Sequence, residues 1–61
     1  MRVGDLVRVA DKGNFKEGHI GIVTYELPRT FEVEITCNDG PWIFHIHQLE
    51  IVSHARGYGY T

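Results

Sequence analysis

A single cysteine, Cys37, leaves this chain without an internal disulfide. Small secreted domains that cannot build a large core rely on such staples, so this one has to hold itself by packing or be held by a partner. Lysine is nearly as scarce. Lys12 and Lys16 are the only two, and with Arg2, Arg8, Arg29 and Arg56 they leave a net charge of −2. Binding along a phosphate backbone draws its affinity from Lys and Arg, so this balance argues against a general nucleic-acid binder. Long apolar runs are missing too. Ile20-Gly21-Ile22-Val23 and Trp42-Ile43-Phe44 fall far short of the roughly 20 residues needed to cross a bilayer. The opening Met1-Arg2-Val3-Gly4-Asp5 meets charge at once, unlike a signal peptide. No membrane insertion is expected, and the expected setting is reducing and cytoplasmic. There is no heptad, no long repeat and no helix-period segment of useful length.

What is present is strand-period sequence packed between turns. The chain has 61 residues, 43% hydrophobic and 23% charged, the balance of one globular domain. A domain of that size buries only about 60% of its unfolded surface, so its core has to be efficient. Leu6-Val7-Arg8-Val9 predicts a first strand with Val7 and Val9 on one face and Leu6 and Arg8 on the other. Residues 10–18 are polar and turn-tolerant and predict an exposed loop carrying Phe15. Residues 19–25 predict a second strand apolar on both faces, with Gly21 marking a bulge or a close backbone approach. Leu27-Pro28-Arg29-Thr30 predicts a turn. Phe31, Val33, Ile35 and Cys37 then alternate with Glu32, Glu34 and Thr36, which predicts a third strand with a buried face and a wet, acidic one. Asp39-Gly40 is a strong hairpin signal, placing a fourth strand over residues 42–47. A 3₁₀ turn at residues 47–49 and a closing strand at 50–52 follow. Residues 53–61, small and glycine-rich with Tyr58 and Tyr60, read as a flexible tail after a domain at 1–52.

Gly4-Asp5-Leu6-Val7-Arg8-Val9 followed by Gly18-His19-Ile20-Gly21-Ile22-Val23 resembles the opening of KOW-type and related SH3-like modules. The ending Phe44-His45-Ile46-His47-Gln48-Leu49-Glu50-Ile51-Val52 is similar to the close of small SH3-like proteins of photosynthetic organisms, such as the small barrel subunit of photosystem I and the ferredoxin-thioredoxin reductase variable chain. The resemblance covers about residues 3–52 and implies an all-β fold: a small five-stranded antiparallel SH3-like barrel with one short 3₁₀ turn before the last strand. It also implies a binding scaffold, with a stromal-side peripheral setting if the photosynthetic likeness holds. A fold does not specify its work. KOW modules are usually basic, whereas this chain is slightly acidic and its third strand carries Glu32 and Glu34, which ranks nucleic acid second.

Chemistry-bearing residues are few. His45 and His47, two apart on the expected fourth strand, share a face, with His19 and His54 as possible neighbours. A zinc site needs three or four protein ligands, and with no CxxC or HExxH pattern the pair reads better as surface histidines, so no metal and no cofactor is expected. Cys37 beside a histidine is the only nucleophile and base available, yet Cys37 continues an apolar face and reads as core. A barrel this small encloses no substrate-sized pocket. Catalytic residues are therefore not expected. The aromatic residues remain. Phe31 and Phe44 belong to the core by alternation, whereas Phe15, Trp42 and Tyr25, with Arg8 and Lys16, form the expected protein-binding surface. The alternative is a nucleic-acid patch of Arg8, Lys12, Lys16 and Arg29. The reading that follows is a non-catalytic interaction module or small accessory subunit on a larger protein complex, with a KOW-like nucleic-acid module in transcription or translation as the alternative.

Overall fold

The computed structural model describes residues 1–35 and 39–55. Five antiparallel strands form one sheet: β1 (Leu6–Val9), β2 (Ile20–Glu26), β3 (Thr30–Ile35), β4 (Asp39–His45) and β5 (Leu49–Ser53). A 3₁₀ turn, Ile46–Gln48, joins β4 to β5, and no helix longer than this turn occurs among the described residues. The strand order is β4-β3-β2-β1-β5. The all-β architecture is as the sequence leads one to expect. The closed ring of a barrel is not seen, because no strand pairing joins β4 to β5 among the described residues. No described helix is long and apolar enough to cross a membrane.

The core is the inner face of the sheet. Val7, Val9, Val23, Val33, Ile35, Phe44 and Leu49 are buried, with Met1 and Phe31 packed at its margin. Alternation selects these residues: Val7 and Val9 are buried on β1 while Leu6 and Arg8 face outward. Phe31, expected in the core, is only half-buried. β2 also departs from its expected two-sided burial. Gly21 and Val23 face in, but Ile22 is 40% exposed on the outer face. Burial there would need a second layer over β2, and none exists among the described residues.

Gly21 sits in regular register, opposite Val7 and Ile35, so it marks a close approach and not a bulge. A Cβ at Gly21 would lie 2.6 Å from Val33 Cγ1 and 2.7 Å from the Glu34 carbonyl oxygen. The irregularity in β2 comes further on. Val23 faces Val33 and Tyr25 faces Glu32, which leaves Thr24 as the extra residue. Such a bulge bends and twists a strand.

Asp39-Gly40 belongs to β4 and does not make the expected turn: Asp39 is opposite Ile35, and residues 36–38, with Thr36 and Cys37, lie outside the described part. Val33 opposite Trp42 and Ile35 opposite Asp39 give β4 one more residue than β3 over this stretch. Gly40 adopts φ of +130° there, a conformation L side chains rarely take, and lies close under the Trp42 indole. The Asp-Gly signal thus marked a strand irregularity. β4 ends at His45, so His47 belongs to the 3₁₀ turn.

Asp5 ties the chain's described ends together. It is buried at 2% exposure, and its carboxylate accepts from the Arg2 amide at 2.9 Å and the Ala55 amide at 2.6 Å. Its backbone carbonyl accepts from the Val23 amide at 3.0 Å. Ser53 is the last residue of β5, and residues 56–61, with Tyr58 and Tyr60, are outside the described part. Burial works against the Asp5 charge, but the Ala55 and Arg2 amides, with His54 and the N-terminus, outweigh it and hold the carboxyl below its ordinary value.

Two stability outcomes follow. Gly21→Ala should destabilise the fold by about 1–3 kcal/mol in urea unfolding, because backbone as well as side chain blocks the new methyl; an unchanged midpoint would show that β2 and β3 separate freely there. Asp5→Ala should cost about 1–3 kcal/mol near neutral pH, with two amides losing their acceptor. Because the folded carboxyl is depressed, its contribution is present above the ordinary carboxyl range and is lost as pH falls through the folded value. The difference between wild type and variant should therefore shrink on acidification, and a difference constant with pH would remove the charge from the account.

Candidate functional site

The loop of residues 10–19 is built from successive turns. Asn14 N–H donates to the Asp11 carbonyl, Glu17 N–H to the Asn14 carbonyl and His19 N–H to the Lys16 carbonyl. Side chains brace it further: Asn14 Oδ1 accepts from the Lys16 amide at 2.8 Å, and Glu17 Oε1 accepts from the Gly13 amide at 3.1 Å. At its base, Gly18 N–H donates to the Val9 carbonyl. The short polar residues that made this segment look like a loop also give it internal order.

Two contacts pin this loop to the end of β4 and the 3₁₀ turn. The Ala10 amide donates to the Gln48 carbonyl at 2.8 Å, and Gln48 Nε2 donates to Asp11 Oδ2 at 2.8 Å. Gln48 Oε1 meanwhile accepts from the His45 amide at 2.7 Å. One amide side chain therefore joins the loop to both sides of the 3₁₀ turn. Hydrogen bonds from Gln48 first and then Asn14 hold the Asp11 carboxyl below its ordinary value, against desolvation, and His47 acts in the same sense. No local sequence signal marked this clamp, because Asp11 lies 37 residues from Gln48.

Across the same loop Phe15 meets Trp42 edge to face, with ring centroids 5.0 Å apart and planes at 81°. Trp42 is opposite Val33, so it stands on the inner side of β4 at the margin of the core. Lys16 Nζ lies 5.6 Å from the Phe15 centroid and 5.5 Å from that of Trp42. Edge-to-face packing and a cation near ring faces are both attractive geometries. Three of the residues singled out in the sequence, Phe15, Trp42 and Lys16, are thus brought together.

The others are elsewhere. Tyr25 is paired with Glu32 on the outer face, the opposite side of the sheet from Trp42. Arg8 faces outward from β1, and its guanidinium is engaged by Glu50 of β5. Lys12 is exposed in the loop and Arg29 is exposed in the β2–β3 turn. The rings of His45 and His47 stack with centroids 5.5 Å apart, although His45 ends β4 and His47 stands on the 3₁₀ turn, so they do not share a strand face. The remaining histidines do not join them: His54 lies 3.8 Å from Asp5, and His19 Nδ1 is 3.2 Å from the Lys16 carbonyl oxygen. Among the described residues no three His, Cys, Asp or Glu side chains are grouped to hold a metal ion.

No family model and no curated protein matches this chain.

If Gln48 is the clamp, Gln48→Ala should raise the Asp11 pKa toward the ordinary carboxyl value and speed amide exchange at His45. Carboxyl-carbon NMR titration and hydrogen exchange read the two effects. An unmoved Asp11 titration would assign the loop's anchorage to backbone bonds alone.

Proposed function

We propose that this chain is a small SH3-like interaction module that docks on a larger protein assembly and catalyses no reaction. The observation that carries this reading is Phe15: it is 67% exposed, yet it is held edge-on against Trp42 on a loop braced by its own hydrogen bonds. A phenylalanine buries about 150–250 Å² when covered, so the part still open is worth about 3 kcal/mol to a partner at 25 cal/mol per Å². The edge-to-face pair itself contributes about 0.5–1.5 kcal/mol. Covering Phe15 would therefore gain more than the contact that positions it. Because the loop is already ordered, little conformational entropy is lost on docking. Lys16 beside both rings favours a partner surface that pairs an apolar group with a carboxylate.

The test is affinity capture from the native host with wild type, Phe15→Ala and Trp42→Ala, each with and without nuclease. The expected result is a nuclease-resistant protein complex that folded Phe15→Ala fails to recover. Capture unchanged in both folded variants would remove this surface. At about 150 mM salt, generic duplex or single strands should bind no tighter than about 100 µM. Micromolar, salt-steep binding lost on replacing Arg8, Lys12 and Lys16 would instead make the module a KOW-like nucleic-acid binder.

A further inference from the structure

The sheet's outer face carries a pattern that the core does not account for. Cross-strand partners lie on the same side of a sheet. The register therefore sets Leu6, Ile22 and Glu34 in one row and Tyr25, Glu32 and Ile43 in the next. The apolar members stay open, with Leu6 37%, Ile22 40%, Tyr25 56% and Ile43 61% exposed. Four apolar side chains thus stand open together on the face opposite the core. The acidic members have no cation: among the described residues no Lys or Arg pairs with Glu32 or Glu34. Arg8, the basic residue that β1 turns to this side, is engaged by Glu50. Glu32 and Glu34 stand two residues apart on β3, about 7 Å.

We propose that this outer face docks a basic amphipathic segment of a protein partner. Its aliphatic side chains cover Leu6, Ile22 and Ile43 while its Lys or Arg groups meet Glu32 and Glu34. Two cations four residues apart on a helix, or two apart on an extended strand, match the carboxylate separation. Charge selects this occupant. Nucleic acid and anionic lipid would bring phosphates against Glu32 and Glu34. A second copy of the chain would bring Glu32 and Glu34 of both copies into one interface, while Arg8, the basic residue that β1 turns to this face, is already engaged by Glu50. The surface lies on the opposite side of the sheet from Trp42, so it is independent of the Phe15 site and would let one small module bridge two protein elements.

The experiment uses the full chain labelled with ¹⁵N and three short synthetic peptides at about 150 mM salt: an amphipathic one of leucine and lysine, its leucine and glutamate counterpart, and one of serine and lysine with the same charge. The leucine-lysine peptide should shift the amides of Leu6, Ile22, Glu32, Glu34 and Ile43 and leave those of Phe15 and Trp42 in place. The double variant Glu32→Gln/Glu34→Gln should weaken it about tenfold, the size two exposed ion pairs supply together. Leu6→Ser, a second surface change whose spectrum reports folding, should weaken it as well, while Phe15→Ala should not. Equal binding of the serine-lysine peptide would reduce the effect to general charge attraction and overturn the proposal. So would equal binding of the leucine-glutamate peptide, shifts centred on Phe15 and Trp42, or no binding. Concentration-dependent shifts at the same amides without peptide would assign the face to a second copy instead.

Discussion

A buried carboxylate that nearly everything else leans on sits before the first strand. Asp5 receives amides from Arg2 and Ala55 through its side chain and from Val23 through its carbonyl. These contacts fasten the start of β1, the middle of β2 and the residues after β5 to one point. An unpaired charge at that depth would cost several kcal/mol. With two amides aimed at it, the same burial becomes an ordering device, because only one arrangement of the three segments satisfies the group. A chain without a disulfide has few other means of fixing its ends against each other.

Closure is the second constraint, and it explains where the candidate site lies. Among the described residues five short strands make four pairings, and the ladder ends at β4 and β5. Open edges invite association. At the end of β4 the chain turns through Ile46–Gln48, and Gln48 seizes the neighbouring loop through Asp11 and Ala10. On the inner side of β4 the loop lays Phe15 against Trp42. Side chains thus span what strand pairing leaves open. The aromatic pair that spans this gap still leaves Phe15 67% exposed.

Much of this was legible beforehand. Alternation in Leu6-Val7-Arg8-Val9 and from Phe31 to Ile35 identified the inner face, and Val7, Val9, Val33 and Ile35 occupy it. The Phe15, Trp42 and Lys16 grouping was expected because an aromatic in a polar loop is either an anchor or a contact. Less could be seen for Tyr25 and Arg8. Which side Tyr25 takes depends on the extra residue at Thr24, and Arg8 is occupied by Glu50, 42 residues away. Neither the bulge nor that pairing leaves a local mark.

The sequence alone determined the strand count, the inner face and the polar character of the first loop, because these rest on side-chain period and turn chemistry within a few residues. Tertiary structure decided the rest. It placed Asp39-Gly40 inside β4 and not in a turn, since the register against Val33 and Ile35 takes up one more residue. It decided between the two readings of Gly21, a bulge or a close approach, in favour of the approach, since Val33 and Glu34 come from another strand. It also left the outer rows of Leu6, Ile22 and Ile43 uncovered, because a single sheet has only one face it can bury on itself.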